Sequence, residues 1–308
     1  MDKPPLSDIE AFLKDRHGAR VTEVNPLRGG FWSSAYSYVA DDRELVLRIG
    51  SMREGFEADQ AAMAFSRPDL PVPVVLEIGD AFGASYALSE RHHGSFLEDL
   101  DPALATPGGE TLSRLLVALL SVPAAPGEPS MSWRDWLLGS LVDDPSHRVS
   151  GWRPKLAEDT TLDRLFTACE RRITELTDAC PQRSDLVHGD LLHQNVLITP
   201  DASAVTAVFS WKCSLRGDFL YDVAWCTFWG ESFHPGIAAA DSWGRITREP
   251  SVVAEAGALT NAAQRHHCYE LHIGATHLAW HTWTGEHENR QRVAEHLSHL
   301  LERGPLDR

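Results

Sequence analysis

The segment that most restricts the fold is residues 186–213, LVHGDLLHQNVLITPDASAVTAVFSWKC. Within it, four residues separate Asp190 from Asn195, so a carboxylate and an amide fall in one tight loop. A carboxylate there can accept the proton of an attacking hydroxyl, and an amide oxygen can ligate the metal that holds nucleotide phosphates. The runs VLI and AVTAVFSW, separated by the turn TPDAS, predict two short strands next to the loop. Taken alone, the motif also fits a simple turn capped by an asparagine.

The length and composition restrict the class of protein. A chain of 308 residues exceeds the comfortable size of one hydrophobic core, which favours two lobes. Its apolar runs are shorter than the roughly 20 residues that span a bilayer, and the N-terminus lacks the basic-then-apolar order of a signal peptide. We therefore expect a cytoplasmic protein. The net charge of −16 argues against nucleic acid or an anionic membrane as partner and would attract a cationic small molecule.

Residues 1–91 predict a small α+β lobe built on an antiparallel sheet. Residues 5–16 follow a helical spacing of apolar residues, and the residues RGGFWSS lead into a hairpin that turns at ADDRE. A glycine- and serine-rich turn before a strand can bring backbone N–H groups near a phosphate. A helix at 56–67 and two strands within 71–94 complete this lobe.

Residues 92–308 predict a larger, mainly helical lobe. Residues 111–122 and 161–179 carry apolar side chains at i, i+3 and i+4, as an amphipathic helix does. The chain from about residue 252 to 302 is almost continuously helical in pattern. The loop that contains Asp190 falls inside this second lobe.

Several segments together resemble the aminoglycoside phosphotransferase family. The chain order is a glycine-containing loop, a strand with a basic residue in VLRI, an acidic helix, a linker, and a helical part with HGDxxxxN. The segments LRIGS, GFEAD, LPVPVVLEIG and GDFLYDVAWCTFW carry the same resemblance, from about Leu27 to Trp229. It implies a bilobal, protein-kinase-like α+β fold. It also implies O-phosphorylation of a small hydroxylated acceptor, such as an aminoglycoside or another natural product, with ATP or GTP and Mg²⁺.

The resemblance implies roles for residues of the HGDxxxxN loop and of the glycine- and serine-rich turn. Asp190 would be the catalytic base, Asn195 a magnesium ligand, and His188 would brace the loop. Ser33 and Ser34, at the start of the first hairpin strand, would bind the nucleotide phosphates.

Further nucleotide contacts are implied on the strand, helix and linker that follow. Arg48 would replace the lysine that touches the phosphates, with Glu57 or Asp59 as its acidic partner on the next helix. An arginine keeps the positive charge but makes a fork-shaped contact. The linker LSERH would meet the purine base through its backbone, which makes Glu90 and His92 candidate nucleotide-binding residues.

One position departs from the family pattern. The residue before the tryptophan of VFSW is an aspartate that ligates magnesium in the family, and here it is Ser210. Magnesium prefers anionic oxygen, and losing several kcal/mol of metal-dependent stabilisation would slow phosphoryl transfer by about 10²- to 10⁴-fold. Four interpretations stay open: a kinase with a rearranged metal site, a relative that binds nucleotide or a small molecule without transfer, an enzyme repurposed for other acid–base chemistry, and an interaction module.

Lys212 suggests one compensation for the missing carboxylate. In an extended strand, Ser210 and Lys212 would project to the same side, so the ammonium could stand where the metal charge would be. This hypothesis predicts nucleotide binding without magnesium. The alternative is an ordinary solvated or salt-bridged lysine.

The acceptor is expected to bind in the helical lobe. Asp218 and Asp222 match the family element GDxxYD and are more simply structural, although Asp222 is kept as a candidate substrate contact. Glu231 could hold an ammonium group of the acceptor, whereas the indoles of Trp225 and Trp229 would suit a flatter, more apolar ligand.

The stretch RHHCYELHIGATHLAWHTWTGEHE is rich in histidine and tryptophan. Its His277 and His281 lie four residues apart, which is a permitted spacing for a metal pair on a helix, but no carboxylate completes a zinc motif. Core packing is the favoured interpretation, and an acceptor pocket is the alternative.

Overall fold

The computed structural model describes residues 3–28, 30–124 and 131–306. Gly29, part of the glycine- and serine-rich turn, lies outside the described residues. The chain divides into two compact units. The sheet unit comprises the residues up to Glu98 together with Asp190–Cys213, and the helical unit comprises Asp99–Gly189 together with the residues from Ser214 onwards.

The sheet unit is built from two antiparallel sheets. With elements numbered in chain order, it contains α1 (Leu6–His17), β1 (Thr22–Leu27), β2 (Ser33–Ala40), β3 (Arg43–Gly50), α2 (Arg53–Ala62), β4 (Val75–Ala81), β5 (Ala84–Glu90), β6 (Ser95–Phe96), β8 (Val196–Ile198) and β9 (Val205–Val208). The strand order is β1-β2-β3-β5-β4 in the larger sheet and β6-β8-β9 in the smaller one. Neighbouring strands are antiparallel in both.

The side chains of β3 alternate between the two faces of the larger sheet. Leu45, Leu47 and Ile49 are buried in the core that α1 covers. Arg48 lies between two of them in sequence, so the two-residue period of a strand places it on the opposite face. There its guanidinium carbon lies 5.2 Å from the centre of the Phe56 ring of α2. The strand thereby directs a cation toward α2.

The predictions of the first helix and of the hairpin are confirmed, and the structure contains one strand that was not predicted. The helix predicted at 5–16 is α1, and the hairpin that turns at ADDRE consists of β2 and β3. The second helix begins at Arg53, three residues earlier than predicted. The β-rich run before ADDRE holds two strands, because β1 pairs with β2 as an edge strand. Pro26 fits within β1, since an edge strand tolerates a residue without a backbone N–H.

The helical unit confirms the predicted helices and adds shorter ones. It contains α3 (Ala105–Leu120), α4 (Trp133–Gly139), α5 (Trp152–Ala157), α6 (Thr160–Leu176), β7 (Asp185–Val187), β10 (Leu215–Gly217), α7 (Leu220–Phe233), α8 (Pro235–Ala239), α9 (Ser242–Ile246), α10 (Pro250–Ala254), α11 (Ala262–Thr284) and α12 (His287–Arg303). Strands β7 and β10 form an antiparallel pair. None of the helices in the described part of the chain has both the length and the apolar content needed to cross a membrane.

Helix α3 starts six residues before the predicted 111–122 helix and includes Gly108 and Gly109. These glycines are buried, and a Cβ atom on Gly108 would lie 2.6 Å from Leu100 Cδ2. Close packing therefore explains glycine within this helix, where it would ordinarily be unfavourable.

The structure groups residues 190–213 with the sheet unit, whereas the sequence pattern placed them in the second lobe. Strand β8 pairs with β6, and the backbone N–H of Val208 donates to the carbonyl of Pro71 at 2.8 Å. These long-range bonds join the segment to the amino-terminal residues. The proposed boundary between residues 91 and 92 stays a prediction.

Candidate phosphoryl-transfer site

The Asp190 carboxylate is held by two side chains of its own loop. Asn195 Nδ2 donates to Asp190 Oδ2 at 2.8 Å, and also to the backbone carbonyls of Asp190 at 2.7 Å and Leu192 at 2.9 Å. His193 Nδ1 lies 2.8 Å from Asp190 Oδ1. Because a carboxylate can only accept, the imidazole N–H is the donor. The spacing of Asp190 and Asn195 thus forms a tight loop, as the motif predicted.

The backbone of this loop adopts an uncommon conformation. His193 and Gln194 have φ angles of 65° and 69°, in the left-handed region that residues other than glycine seldom occupy. The Gln194 N–H donates to Glu98 Oε1 at 2.5 Å, which holds the strained residues in place. Partial burial by itself lowers the pKa of His193, but the Asp190 and Glu98 carboxylates outweigh it and raise that pKa overall.

The residues just before Asp190 are fixed by a carboxylate of the helical unit. The backbone N–H groups of His188 and Gly189 donate to Asp222 Oδ2 and Oδ1, at 2.8 and 2.9 Å. His188 is completely buried, and Asp222 is 1% exposed. Asp222 therefore braces the main chain at His188 and Gly189, and the bracing role of the His188 side chain stays a prediction.

A single buried carboxylate joins Arg48 to the segment of Ser210. Arg48 Nη2 lies 2.5 Å from Asp59 Oδ2, and the other oxygen of Asp59 accepts the backbone N–H of Trp211 at 2.8 Å. Asp59 is only 4% exposed. Glu57, the other candidate, instead pairs with Arg53 at 2.9 Å. Asp59 is thus the partner of Arg48.

The prediction that Ser210 and Lys212 lie in an extended strand is wrong. Strand β9 ends at Val208, Ser210 has a φ of 66°, and Trp211–Cys213 forms a 3₁₀ turn. The left-handed residue breaks the two-residue alternation on which the compensation by Lys212 depended. Lys212 Nζ instead donates to Glu54 Oε1 at 2.6 Å, so the salt-bridged alternative describes it.

The residues at the expected metal position do not fit an ordinary magnesium site. The described part of the chain contains no group of three or more His, Cys, Asp or Glu side chains arranged to hold a metal. Asn195 and Ser210 contribute a neutral amide and a neutral hydroxyl, whereas magnesium is usually bound through one or two carboxylates together with substrate phosphates. Asn195 and Ser210 therefore lack the carboxylate that an ordinary protein-held magnesium ion requires.

The comparisons with known proteins show the family of this chain. The sequence profile of the phosphotransferase enzyme family, APH, matches residues 23–255. Hygromycin-B 4-O-kinase from Escherichia coli is 32% identical over 244 residues, which cover 74% of this chain and 69% of the relative. The chain belongs to the phosphotransferase enzyme family.

Solved structures show the fold of this chain. A thermostable variant of aminoglycoside phosphotransferase APH(4)-Ia, in a ternary complex with AMP-PNP and hygromycin B, aligns with a TM-score of 0.80 at 23% identity. That alignment covers 96% of this chain and 98% of the other. Spectinomycin phosphotransferase APH(9)-Ia, in complex with ADP and spectinomycin, aligns with a TM-score of 0.56 at 11% identity and covers 96% of each chain. The predicted kinase-like α+β fold is confirmed.

The predicted phosphate-binding serines lie at the start of β2. Ser33 is the first residue of the strand and pairs with Gly50 of β3, while Ser34 is buried. A Cβ atom on Gly50 would lie 2.9 Å from the carbonyl oxygen of Trp32, so only glycine permits this approach. The structure places Ser33 beside β3, the strand that carries Arg48.

The predicted linker residues are engaged in contacts within the sheet unit. Glu90 ends β5 and pairs through Oε1 with Arg43 Nη2 at 3.1 Å. His92 Nδ1 donates to the carbonyl oxygen of Thr206 at 2.7 Å, next to β9 residues that lead to Ser210. Both side chains thus secure the linker, which leaves the predicted nucleotide contact to the backbone.

Three of the four predicted acceptor residues are buried in the helical unit. Asp222, Trp225 and Trp229 are 1%, 5% and 3% exposed. The indoles of Trp225 and Trp229 pack against the His277 ring, at centroid distances of 5.2 and 4.8 Å. This burial is at odds with direct contact to an acceptor. The side chain of Glu231 is 37% exposed and pairs with Arg303 at 3.1 Å, so it remains the candidate.

Four of the five histidines of α11 are buried, which agrees with the favoured core packing. His266 and His272 are buried, and burial lowers the pKa of each to about 3. His277 Nδ1 donates to the carbonyl of Ile273 at 2.8 Å, and His281 Nδ1 to Glu286 at 2.9 Å. One ring nitrogen of each member of the candidate metal pair is thus bound within the unit.

Two features of the site were not found from the sequence. His193 holds Asp190 from three residues along the chain, and the pattern DLLHQN contained the signal, since an imidazole beside a carboxylate can donate to it. The bond from the Trp211 N–H to Asp59 had no sequence signal, because it joins residues 152 positions apart.

Proposed function

We propose that this phosphotransferase transfers the terminal phosphoryl group of ATP or GTP to a hydroxyl group of a small molecule. The observation that supports this proposal most is the arrangement of Asp190. Its carboxylate is oriented by Asn195 and His193, and it lies in the same unit as the Arg48–Asp59 pair. A general base and a phosphate-binding cation are the two parts that the reaction requires of the protein.

The proposed step assigns each proton and bond. The acceptor O–H gives its proton to the Asp190 carboxylate while its oxygen forms a bond to the terminal phosphorus. The bond from that phosphorus to the bridging oxygen breaks, and the nucleoside diphosphate leaves with the electron pair. The fixed charge of Arg48 stabilises the phosphate oxygens as negative charge builds up on them.

An aminoglycoside is the acceptor class that we propose. The E. coli relative is named a hygromycin-B kinase, and the APH(4)-Ia structure is a complex with hygromycin B. Aminoglycosides are cationic, which suits a chain with a net charge of −16. Glu231 is the proposed contact for an acceptor ammonium, and Ser33, Ser34 and the backbone at Glu90 and His92 are proposed nucleotide contacts.

A second function is favoured by one observation. The two residues at the metal position, Asn195 and Ser210, carry neutral oxygens. A relative that binds a nucleotide or a natural product, or transforms the product through Asp190, would keep the loop while losing the metal carboxylate.

The residue at position 210 decides between these functions. Asp and Asn both accept the left-handed backbone of Ser210, but only Asp supplies a carboxylate. We would measure nucleotide consumption with ATP and GTP, with and without magnesium, on a panel of hydroxylated acceptors including hygromycin B. The native chain, Ser210→Asp and the control Ser210→Asn would be compared.

The proposal expects acceptor-dependent turnover in the native chain, with Ser210→Asp faster and Ser210→Asn no faster than native. Turnover in Ser210→Asp alone would show that the native chain is no kinase. Absence of nucleotide binding in all three proteins, measured by calorimetry, would reject the proposal and leave the binding or transformation of a natural product as the function.

A further inference from the structure

His193 occupies an unusual place in the loop. It is the third residue after Asp190, and its Nδ1 lies 2.8 Å from Asp190 Oδ1. Asn195 Nδ2 lies 2.8 Å from the other oxygen. Each carboxylate oxygen therefore has a separate side-chain donor. Two donors on different oxygens fix the rotation of the carboxylate plane, which one donor on a single oxygen does not do.

The backbone directs the His193 ring toward Asp190. His193 and Gln194 have φ angles of 65° and 69°, and this left-handed pair turns the chain back between Asp190 and Asn195. A non-glycine residue in that region is unfavourable, so it persists only where its surroundings require it. Here the Gln194 N–H is bound by Glu98 Oε1 at 2.5 Å.

The orientation of a catalytic base strongly affects its rate. A displacement of about 1 Å can reduce a reaction by roughly 10²-fold, because the base must meet the acceptor proton along its hydrogen-bond direction. Asn195 already makes several bonds through one nitrogen, to Asp190 Oδ2 and to the carbonyls of Asp190 and Leu192. Its amide is thus shared among three acceptors, and His193 Nδ1 is the side-chain donor at the other oxygen of Asp190.

We propose that His193 is a positioning residue, which holds the Asp190 carboxylate in the orientation needed to accept a proton from the acceptor. This inference rests on the proposed phosphoryl transfer. It assigns His193 no contact with the substrate.

Two substitutions separate the hydrogen bond from the backbone. Both His193→Asn and His193→Gly suit a left-handed φ, but only asparagine keeps a donor, at the place of the imidazole Nδ1. We expect His193→Gly to lower kcat by about 10- to 100-fold with KM for nucleotide and acceptor changed by less than about twofold. His193→Asn should recover most of the loss. Asp42→Gly, the same kind of exchange at a φ of 60° in the β2–β3 turn, is the control and should leave kcat unchanged.

A second measurement does not depend on turnover. The thermal midpoints of His193→Asn and His193→Gly are compared in the native chain and in Asp190→Ala. If His193 and Asp190 share a bond, the difference between Asn and Gly shrinks when Asp190 is absent.

Equal kcat values for His193→Gly and the native chain would overturn the inference, and so would an Asn–Gly difference that is the same with and without Asp190. A native chain that transfers phosphate to no acceptor would instead reject the proposed function, while the midpoints still report whether His193 holds Asp190.

Discussion

Two regions of this chain are rich in groups that could do chemistry, and they differ in how those groups are used. In the Asp190–Asn195 loop, the Asp190 side chain is 22% exposed and the His193 side chain is 41% exposed, and His193 and Gln194 have left-handed backbones. In α11, His266 and His272 are buried and bound to side chains of other helices. The first region stores strain around an accessible carboxylate, and the second fills a core.

The difference shows that residue type alone does not identify a site. Histidine in α11 satisfies its nitrogens within the helical unit, as His272 does with Tyr221 and Ser140. A left-handed backbone at residues other than glycine is a better signal of a functional site. Such strain persists only where the surrounding structure maintains it. Substitutions should therefore affect stability in the helical unit and rate in the loop.

The largest expected effect is on the buried ion pair of the helical unit. Arg265 and Asp218 are both fully buried, with Arg265 Nη2 at 2.6 Å from Asp218 Oδ1. Arg265→Met leaves a buried carboxylate without its cation and should reduce the free energy of unfolding by about 3–5 kcal/mol. Urea denaturation measures this. Arg134→Met, which breaks an exposed pair with Asp178, is the control and should cost at most about 1 kcal/mol. Equal losses of unfolding free energy in the two variants would contradict the stabilising role of the buried pair.

The next effect concerns the loop, where rate and stability should separate. Asp190→Asn removes the base and should lower kcat by about 10²- to 10⁴-fold, while the free energy of unfolding changes by less than about 1 kcal/mol. Asp222→Asn is the same exchange on a carboxylate that accepts two backbone N–H groups. It should cost about 1–3 kcal/mol of stability. Steady-state kinetics and urea denaturation of both variants test this separation of rate from stability. A lower stability of Asp190→Asn than of Asp222→Asn would contradict it.

The sequence predicted the structure correctly where short-range patterns determine it. Helical spacing located α1 and α6, and the β-rich hairpin located β2 and β3. The HGDxxxxN spacing identified Asp190 and Asn195 as neighbours, because five residues of chain cannot separate them far. These results depend only on short-range geometry.

Other features could not be predicted, because they depend on contacts between residues far apart in the sequence. The strand expected at Ser210 ends early, because the Trp211 N–H bonds to Asp59 on α2 instead of continuing a ladder. The buried state of Trp225 and Trp229 depends on His277, about 50 residues later in the chain. Amphipathic spacing alone could not distinguish an acceptor pocket from a packed core at α7 and α11.

A smaller effect should appear as a dependence of stability on pH. Burial lowers the pKa of His272 to about 3 in the folded chain, below the usual value of 6.5. The unfolded chain then binds more protons between pH 6.5 and 3, so this histidine destabilises the fold progressively as pH falls through that range. His272→Gln cannot titrate. Its cost in unfolding free energy, measured from pH 7.5 to 4.5, should therefore be greatest near neutrality and shrink below pH 6.5. A cost that is constant with pH would contradict the buried, neutral state of His272.

The smallest effect is expected at Lys212. It tests whether this lysine only forms a surface ion pair or also contacts the nucleotide phosphates. Its ammonium lies 2.6 Å from Glu54 Oε1, with the two side chains 36% and 53% exposed. Such a pair contributes at most about 1 kcal/mol, since water screens it and two long side chains must be ordered. Lys212→Met and Glu54→Gln should therefore cause the same small loss of stability and leave the calorimetric affinity for ATP unchanged. A tenfold loss of affinity in Lys212→Met alone would instead place the ammonium at the phosphates. Lys212 would then belong with Asp190 among the residues that act on the substrate.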